Sequence, residues 1–172
     1  MKTPLAAALL VALGGCAAPA SYCDLSETGS ACRQQHLLQQ NDLIQAQILV
    51  TSGGEEGFEL AAALLDRAEG GDRRGEVHFY RGLLGIRSGA ALADTLAQLD
   101  TAASRQHPHA VALLYKIYSE PYLVAEADPE RARQYRDAYA ELDVARSGYP
   151  SFEQALVIVE RLLPPQASAV SP

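Results

Sequence analysis

"GEVHFYRGLL" at residues 75–84 is followed 35 residues later by a similar stretch, "AVALLYKIYS" at 110–119. A second pair, "QLDTAA" at 98–103 and "QYRDAY" at 134–139, is separated by 36 residues, and "LLDRAE" at 64–69 precedes "QLDTAA" by 34 residues. Self-similarity at this spacing is typical of stacked helix-turn-helix repeats, in which one repeat cannot bury its apolar face alone. The chain is therefore predicted to be all-α, a short right-handed α-solenoid of about seven helices.

Helical periodicity and the breaks at Gly, Ser and Pro predict where these helices lie. The expected helices are about 33–50, 55–69, 73–88, 91–105, 109–119, 128–146 and 152–163. The first places Leu37, Asn41, Ile44 and Ile48 on one stripe. The third is apolar around much of its girth and should be largely buried.

Helix starts carry their own signals. Asp128 is expected to cap the sixth helix, and Pro129 to occupy its first position. Ser52 with Glu55, and Ser151 with Gln154, have the spacing of capping boxes. We therefore expect a helix to begin at each of these three places.

The amino terminus has the features of an export signal. Lys2 is followed by an apolar run over 5–13, which is shorter than the roughly 20 residues of a membrane-spanning helix. The ending "LGGC" resembles the lipobox of bacterial lipoproteins, which implies cleavage before Cys16 and acylation of that cysteine. Ala17, where retention in the inner membrane would favour Asp, implies the outer membrane of a Gram-negative cell. The expected organisation is a signal peptide at 1–15, a tether at 16–32, a repeat domain at 33–163 and a disordered tail at 164–172.

Cys23 and Cys32 flank a flexible turn in the tether. Outside the cytoplasm, two cysteines so close in sequence are expected to oxidise to a disulfide. A redox-active pair is the alternative, although eight intervening residues do not make a CxxC motif. We predict a structural Cys23–Cys32 disulfide.

One repeat also resembles a known family. "DPERARQYRDAYA" at 128–140 is similar to the second helix of a Sel1-like repeat, a relative of the tetratricopeptide repeat. Matching positions include Asp128, Arg131, Ala132 and Tyr135, whereas Tyr139 stands where the family usually has Ala. The resemblance implies a helical scaffold that binds other proteins.

The net charge and the absence of known catalytic motifs limit the classes of function that this chain is expected to have. A net charge of −7 gives no basic footprint for nucleic acid. No GxSxG, HExxH or phosphate-binding loop occurs, so neither an enzyme nor a cofactor is expected. "HPH" at 107–109 is a conceivable metal site, but a polar loop between helices explains it better. His78, beside Glu76, is expected to be a packed or surface residue rather than a catalytic base.

The candidate partner-binding residues are Arg81, Lys116, Tyr118, Tyr122 and Tyr139. The two basic residues align between repeats and are expected to form a positive spot in a groove lined by the first helix of each pair. Tyrosine suits partner surfaces, although packing between helices is the alternative role. We hypothesise an outer-membrane lipoprotein that acts as a scaffold or adaptor for envelope proteins in the periplasm. The alternative is a cell-wall hydrolase or a regulator of one.

Overall fold

The computed structural model describes residues 29–164, and these residues form α-helices and 3₁₀ turns without any β-strand. The helices are α1 (Ser30–Ser52), α2 (Phe58–Ala68), α3 (Glu76–Ser88), α4 (Leu92–Ser104), α5 (Pro108–Ser119), α6 (Pro129–Ala140), α7 (Asp143–Ser147) and α8 (Phe152–Leu162). The predicted all-α class is confirmed. None of these helices is long and apolar enough to cross a membrane.

The helices stack in chain order. The pairs α1–α2, α3–α4 and α5–α6 make the most extensive contacts, and α5 also packs against α4 and α8. The centre of the domain is α5, where Leu113, Leu114 and Ile117 are fully buried. Neighbouring helices therefore pack as they do in a helical-repeat solenoid.

The eighth helix arises because the predicted helix at 128–146 is two helices. The chain leaves the helical conformation at Leu142, whose ψ is 146°, and resumes it at Asp143 as the short helix α7. Leu142 is buried against the core, which stabilises the break. No Gly or Pro occurs between Pro129 and Gly148, so the sequence offers no local signal for the break.

The repeat alignment holds for the first helices of the pairs. Phe79 and Leu114 are both buried, and Arg81 and Lys116 are both partly buried on the same side of their helices. The alignment of α2 with α4 also preserves burial, since Leu65 and Leu99 are both at 0% exposure. The aligned residues are therefore structurally equivalent in these helices.

The alignment of α4 with α6 does not preserve burial. An offset of 36 residues pairs buried Ala102 with exposed Ala138, and half-buried Ala103 with buried Tyr139. The connection from α5 to α6 spans residues 120–128, whereas α3 and α4 are joined by residues 89–91. The longer connection lets α6 present a different face to the core.

The buried face of α1 differs from its predicted apolar stripe. Ala46 and Val50 are buried, together with Asp42, which forms a bidentate ion pair with Arg67 on α2 (Nε to Oδ2, 2.9 Å). Leu37 and Ile44 lie on the opposite side and are more than half exposed. The stripe exists, but it faces outward.

Two of the three predicted helix starts are confirmed. The Asp128 carboxylate accepts a hydrogen bond from the Arg131 N–H at 3.0 Å, with Pro129 at the first helical position. Ser151 and Gln154 form the predicted reciprocal capping box at the start of α8. The third prediction is wrong, because Ser52 is the last residue of α1 and Gly54 precedes the following 3₁₀ turn without a side-chain cap.

Candidate functional site

Each of the two aligned basic residues is balanced by carboxylates of the same chain. Arg81 Nη2 donates to Asp66 Oδ1 at 2.7 Å and to Glu69 Oε2 at 2.9 Å. Lys116 Nζ donates to Glu120 at 3.1 Å and to Glu160 at 3.2 Å.

These ion pairs direct Arg81 and Lys116 toward different neighbours. Burial alone would lower the pKa of Lys116, but its two carboxylate partners outweigh burial and raise that pKa. Arg81 reaches back toward α2, whereas Lys116 reaches forward to α8. The expected free positive spot is therefore not present at these two residues.

The candidate tyrosines belong largely to the packing. Tyr118 is buried, and its ring stacks on Tyr135 of α6 with centroids 5.8 Å apart and planes 4° apart. Arg131 lies over the same ring, 4.7 Å from its centroid, and donates through Nη1 to the Tyr118 hydroxyl at 2.9 Å. Tyr139 is also buried, and Tyr122 is half-buried against the core. For Tyr118 and Tyr139, packing between helices accounts for the side chain.

Two open cavities lie along α6, and together we call them the α6 groove. One cavity of about 340 Å³ is lined by Arg136, Tyr139, Ala140, Ala145, Gly148, Ser151, Phe152 and Glu153. A second of about 180 Å³ is lined by Tyr115, Ser119, Pro129, Ala132, Arg133 and Arg136. Arg136 borders both cavities, so they lie next to each other. The α6 groove is thus formed where α6 meets α5 on one side and α8 on the other.

The floor of the α6 groove is aromatic. The Phe152 ring meets Tyr115 edge-on with centroids 5.0 Å apart, and meets Tyr139 in the same manner at 5.1 Å. Such edge-to-face pairs fix ring positions more firmly than burial alone. The groove therefore has a rigid apolar base.

The wall of the α6 groove carries free positive charge. Arg133 and Arg136 are exposed, and neither forms an ion pair within residues 29–164. Glu153 lines the same cavity as Arg136, and its pKa is lowered mainly by its own backbone N–H, with help from Ser151 and from the charge of Arg136. An apolar floor beside two unpaired guanidinium groups can hold an apolar side chain and an adjacent carboxylate at the same time.

Sequence reasoning missed Arg133 and Arg136. The available signal was the run "RARQYR" at 131–136, which places three arginines within six residues of an otherwise acidic chain. Glu130 and Asp137 have helical ion-pair spacing to Arg133. The sequence therefore could not show that this arginine stays unpaired.

Another cavity, of about 470 Å³, lies between α1 and the connection from α2 to α3. Two of its lining residues are Asp72 and Glu76, and burial and the nearby Asp72 charge raise the pKa of Glu76. Asp72 is held by structural partners, since it accepts from the Glu76 N–H at 3.0 Å and pairs with Arg105 at 3.3 Å. The Asp72 side chain therefore acts as a cap for α3.

The "HPH" segment is part of the core rather than a polar loop. His107 is buried, stacks on Phe79 with centroids 4.6 Å apart, and caps α5 by accepting the Ala110 N–H on Nδ1 at 3.2 Å. Burial and the neighbouring His109 lower the pKa of His107 to about 3. Among residues 29–164, no group of three or more His, Cys, Asp or Glu side chains is placed to hold a metal ion.

His78 is also a packed residue. It is buried on α3, and its Nδ1 lies 2.9 Å from Gln98 Oε1 on α4.

The predicted anchor and disulfide fall at the edge of the described chain. Cys16 and Cys23 lie outside the described residues. Cys32 is buried on the first turn of α1 and is disulfide-bonded. Its pairing with Cys23 stays a prediction.

Comparison with known proteins identified no relative of this chain. No protein-family model, curated protein or solved structure shows significant similarity to it. The geometry of the α6 groove and the sequence features of the amino terminus are therefore the basis for assigning a function.

Proposed function

We propose that this chain is a lipoprotein held at the periplasmic face of the outer membrane, where its helical domain binds another envelope protein as a scaffold or adaptor. The lipobox-like "LGGC" ending at Cys16 supports the anchor. Several acyl chains on one cysteine hold a protein stably at a membrane, whereas a single chain does so only marginally.

The observation that carries the binding role is the α6 groove. Its floor presents Tyr115 and Phe152, and its wall presents Arg133 and Arg136, neither of which forms an ion pair within residues 29–164. Arg67, Arg81, Arg105 and Lys116 are each neutralised by a carboxylate of the same chain, whereas Arg133 and Arg136 keep their charge next to aromatic rings. Arginine and aromatic side chains are the residue types most often found at binding hot spots.

The same features indicate the kind of partner. A segment with an apolar side chain next to one or two carboxylates would place the apolar group on Phe152 and the carboxylates against the guanidinium groups. Charge complementarity of this kind sets specificity and the rate of encounter. A basic segment would be repelled by Arg133 and Arg136, so the proposed partner presents an acidic segment.

The binding role is tested by reversing charge in the α6 groove. Arg136→Glu and Arg133→Glu should each lower recovery of a cross-linked envelope partner from intact cells by about 5- to 30-fold, the effect of losing ~1–2 kcal/mol at a hot spot. Arg161→Glu is the matched control, because Arg161 is exposed near the other end of α8 and makes the same charge change. Equal recovery with all three variants would place the binding surface elsewhere.

The anchor is tested separately. Cys16→Ser should remove the lipid and release the protein from outer-membrane fractions into the soluble periplasm. The charge-reversal variants serve as controls, since they should stay in the membrane fraction. Persistence of the Cys16→Ser variant in salt-washed outer membranes would contradict the lipoprotein assignment without bearing on the groove.

A further inference from the structure

The outward face of α1 carries an aliphatic stripe that no other element within residues 29–164 covers. Leu37, Ile44 and Ile48 are 60%, 56% and 58% exposed, although they lie on a 23-residue helix whose opposite face is packed against α2 and α3. Leu38 beside them is 58% exposed. Single exposed aliphatic residues are ordinary, but an aligned set of this size marks an interaction surface.

The spacing of the stripe is that of a coiled-coil seam. Leu37, Asn41, Ile44 and Ile48 follow one another at intervals of four, three and four residues, which are the d-a-d-a positions of a heptad repeat. Gln34 and Thr51 continue the same register at the two ends. These two end positions are polar, so the aliphatic part of the seam covers residues 37–48, about 17 Å of α1 at 1.5 Å per residue.

Asn41 occupies one of the a positions and is exposed. In a parallel pair of helices an a residue faces its own copy, so the two Asn41 amides can hydrogen-bond to each other. In an antiparallel pair Asn41 would instead face an aliphatic d residue and lose its hydrogen bonds to water without replacement, which costs about 1–3 kcal/mol. A single buried asparagine of this kind fixes the register and number of helices.

The charge of this face is compatible with a second copy. The chain has a net charge of −7, yet the exposed side chains that flank the seam include no carboxylate; they are glutamines, Leu38, Ser52 and Arg33. The carboxylate on this part of α1, Asp42, is turned to the other side and paired with Arg67. Two copies can therefore meet along this face without the repulsion that two acidic surfaces would produce. The flanks also lack the charge pattern that selects a different partner helix.

We propose that two copies of this protein associate through the outward face of α1 as a parallel two-helix coiled coil, with Asn41 paired to Asn41 of the second copy. The seam is on α1, whereas the α6 groove is bordered by α5, α6 and α8, so each copy keeps its groove open. The dimer does not depend on the proposed partner of the groove.

The experiment is cysteine cross-linking of the full-length protein in its own membrane. Ile48→Cys lies on the seam, and in a parallel pair the new thiol faces its own copy, so mild oxidation should give a disulfide-linked dimer on a non-reducing gel. Glu59→Cys on the exposed side of α2 is the control and should stay monomeric. Adding Leu37→Glu to Ile48→Cys should reduce the dimer band at least tenfold, because two carboxylates would face each other in the seam.

The outcomes separate the alternatives. Equal dimer from Ile48→Cys and Glu59→Cys, or dimer that survives Leu37→Glu, would mean collision rather than a seam and would overturn the proposal. Cross-linking of Ile48→Cys to a different protein, with no dimer, would also overturn it. Leu37 and Ile48 do not contribute to the core, so unchanged helicity and melting temperature should accompany each variant, and the gel reports association alone.

Discussion

The Tyr139 ring of α6 packs edge-on against the Phe152 ring of α8, with centroids 5.1 Å apart and an angle of 65° between the planes. The Tyr139 hydroxyl also donates to the Pro150 carbonyl at 2.8 Å. One side chain thus joins α6 to the chain segment that leads into α8. An alanine at position 139 could make neither contact.

Truncating Tyr139 should loosen the last helix. Tyr139 is 2% exposed, so Tyr139→Ala leaves a large cavity and should lower the free energy of unfolding by about 3–5 kcal/mol. Tyr139→Phe keeps the ring and loses only the hydrogen bond, so its cost should be about 1 kcal/mol. Urea titrations of both variants measure these two losses in the free energy of unfolding, and the loss for Tyr139→Ala should be the larger. Equal stability of wild type and Tyr139→Ala would show that α8 is not held in this way.

Gly82 sets the distance between α3 and α4. A methyl group added at Gly82 would overlap the side chain of Leu99, which is fully buried. Gly82→Ala should therefore destabilise the protein by about 1–3 kcal/mol, even though alanine favours helix formation. In a Leu99→Ala background the space is open, and the same change should be neutral or stabilising. A double-mutant cycle with no coupling between the two positions would refute this close approach.

Stability should fall in mild acid because of His107. Its pKa is about 3 in the folded protein, while an unfolded histidine titrates near 6.5, so the unfolded chain takes up the proton first. The contribution of neutral His107 to the free energy of unfolding is therefore fully present above pH 6.5. It is lost as the pH falls toward 3. Between pH 7 and pH 5 the loss from this residue is about 2 kcal/mol.

The control for this prediction is His107→Asn, which can cap α5 but cannot titrate. Its unfolding free energy should change less than that of wild type between pH 7 and pH 5, when both are measured by denaturant titration. The pKa of His109 is also lowered by burial, and that residue is present in both proteins. Parallel pH profiles would show that His107 is not buried in its neutral form.

The disulfide of Cys32 should have Cys23 as its partner. The chain has three cysteines, and acylation of Cys16 would leave Cys23 for the bond. Peptide mapping of the exported protein without reductant should show the Cys23–Cys32 peptide pair. In a Cys23→Ser variant, Cys32 should become reactive to alkylation only when the first turn of α1 opens, since it is buried. A Cys16–Cys32 peptide pair would contradict both the pairing and the lipid anchor.

The helical class, the approximate positions of the helices and two of the caps could be predicted from the sequence. These features depend on local signals, such as the proline after Asp128 and the spacing of Ser151 and Gln154. The buried face of α1 could not be predicted, because aliphatic residues lie on both sides of that helix and only packing against α2 selects Ala46 and Val50. The break at Leu142 could not be predicted for a similar reason. It depends on the burial of Leu142 against the core, and no Gly or Pro marks it in the sequence.

The candidate site was predicted less well than the fold. Arg81 and Lys116 could be recognised as equivalent, but their carboxylate partners lie 12 to 44 residues away in sequence, apart from Glu120. Which cations remain unpaired is decided by how the helices pack. Arg133 and Arg136 therefore emerge as candidates only once α6 is packed against α5 and next to α8.

The most direct test of the binding role is site-specific photo-cross-linking in living cells. A benzophenone amino acid in place of Ala140, an exposed residue of the α6 groove, should form an adduct with one envelope protein. The same group in place of Val157, which is exposed on α8 outside the groove, should not. The Ala140 adduct should be lost with Arg136→Glu and retained with Arg161→Glu. Identical adducts from both positions, or an Ala140 adduct that survives Arg136→Glu, would contradict the assignment of the α6 groove as the partner-binding site.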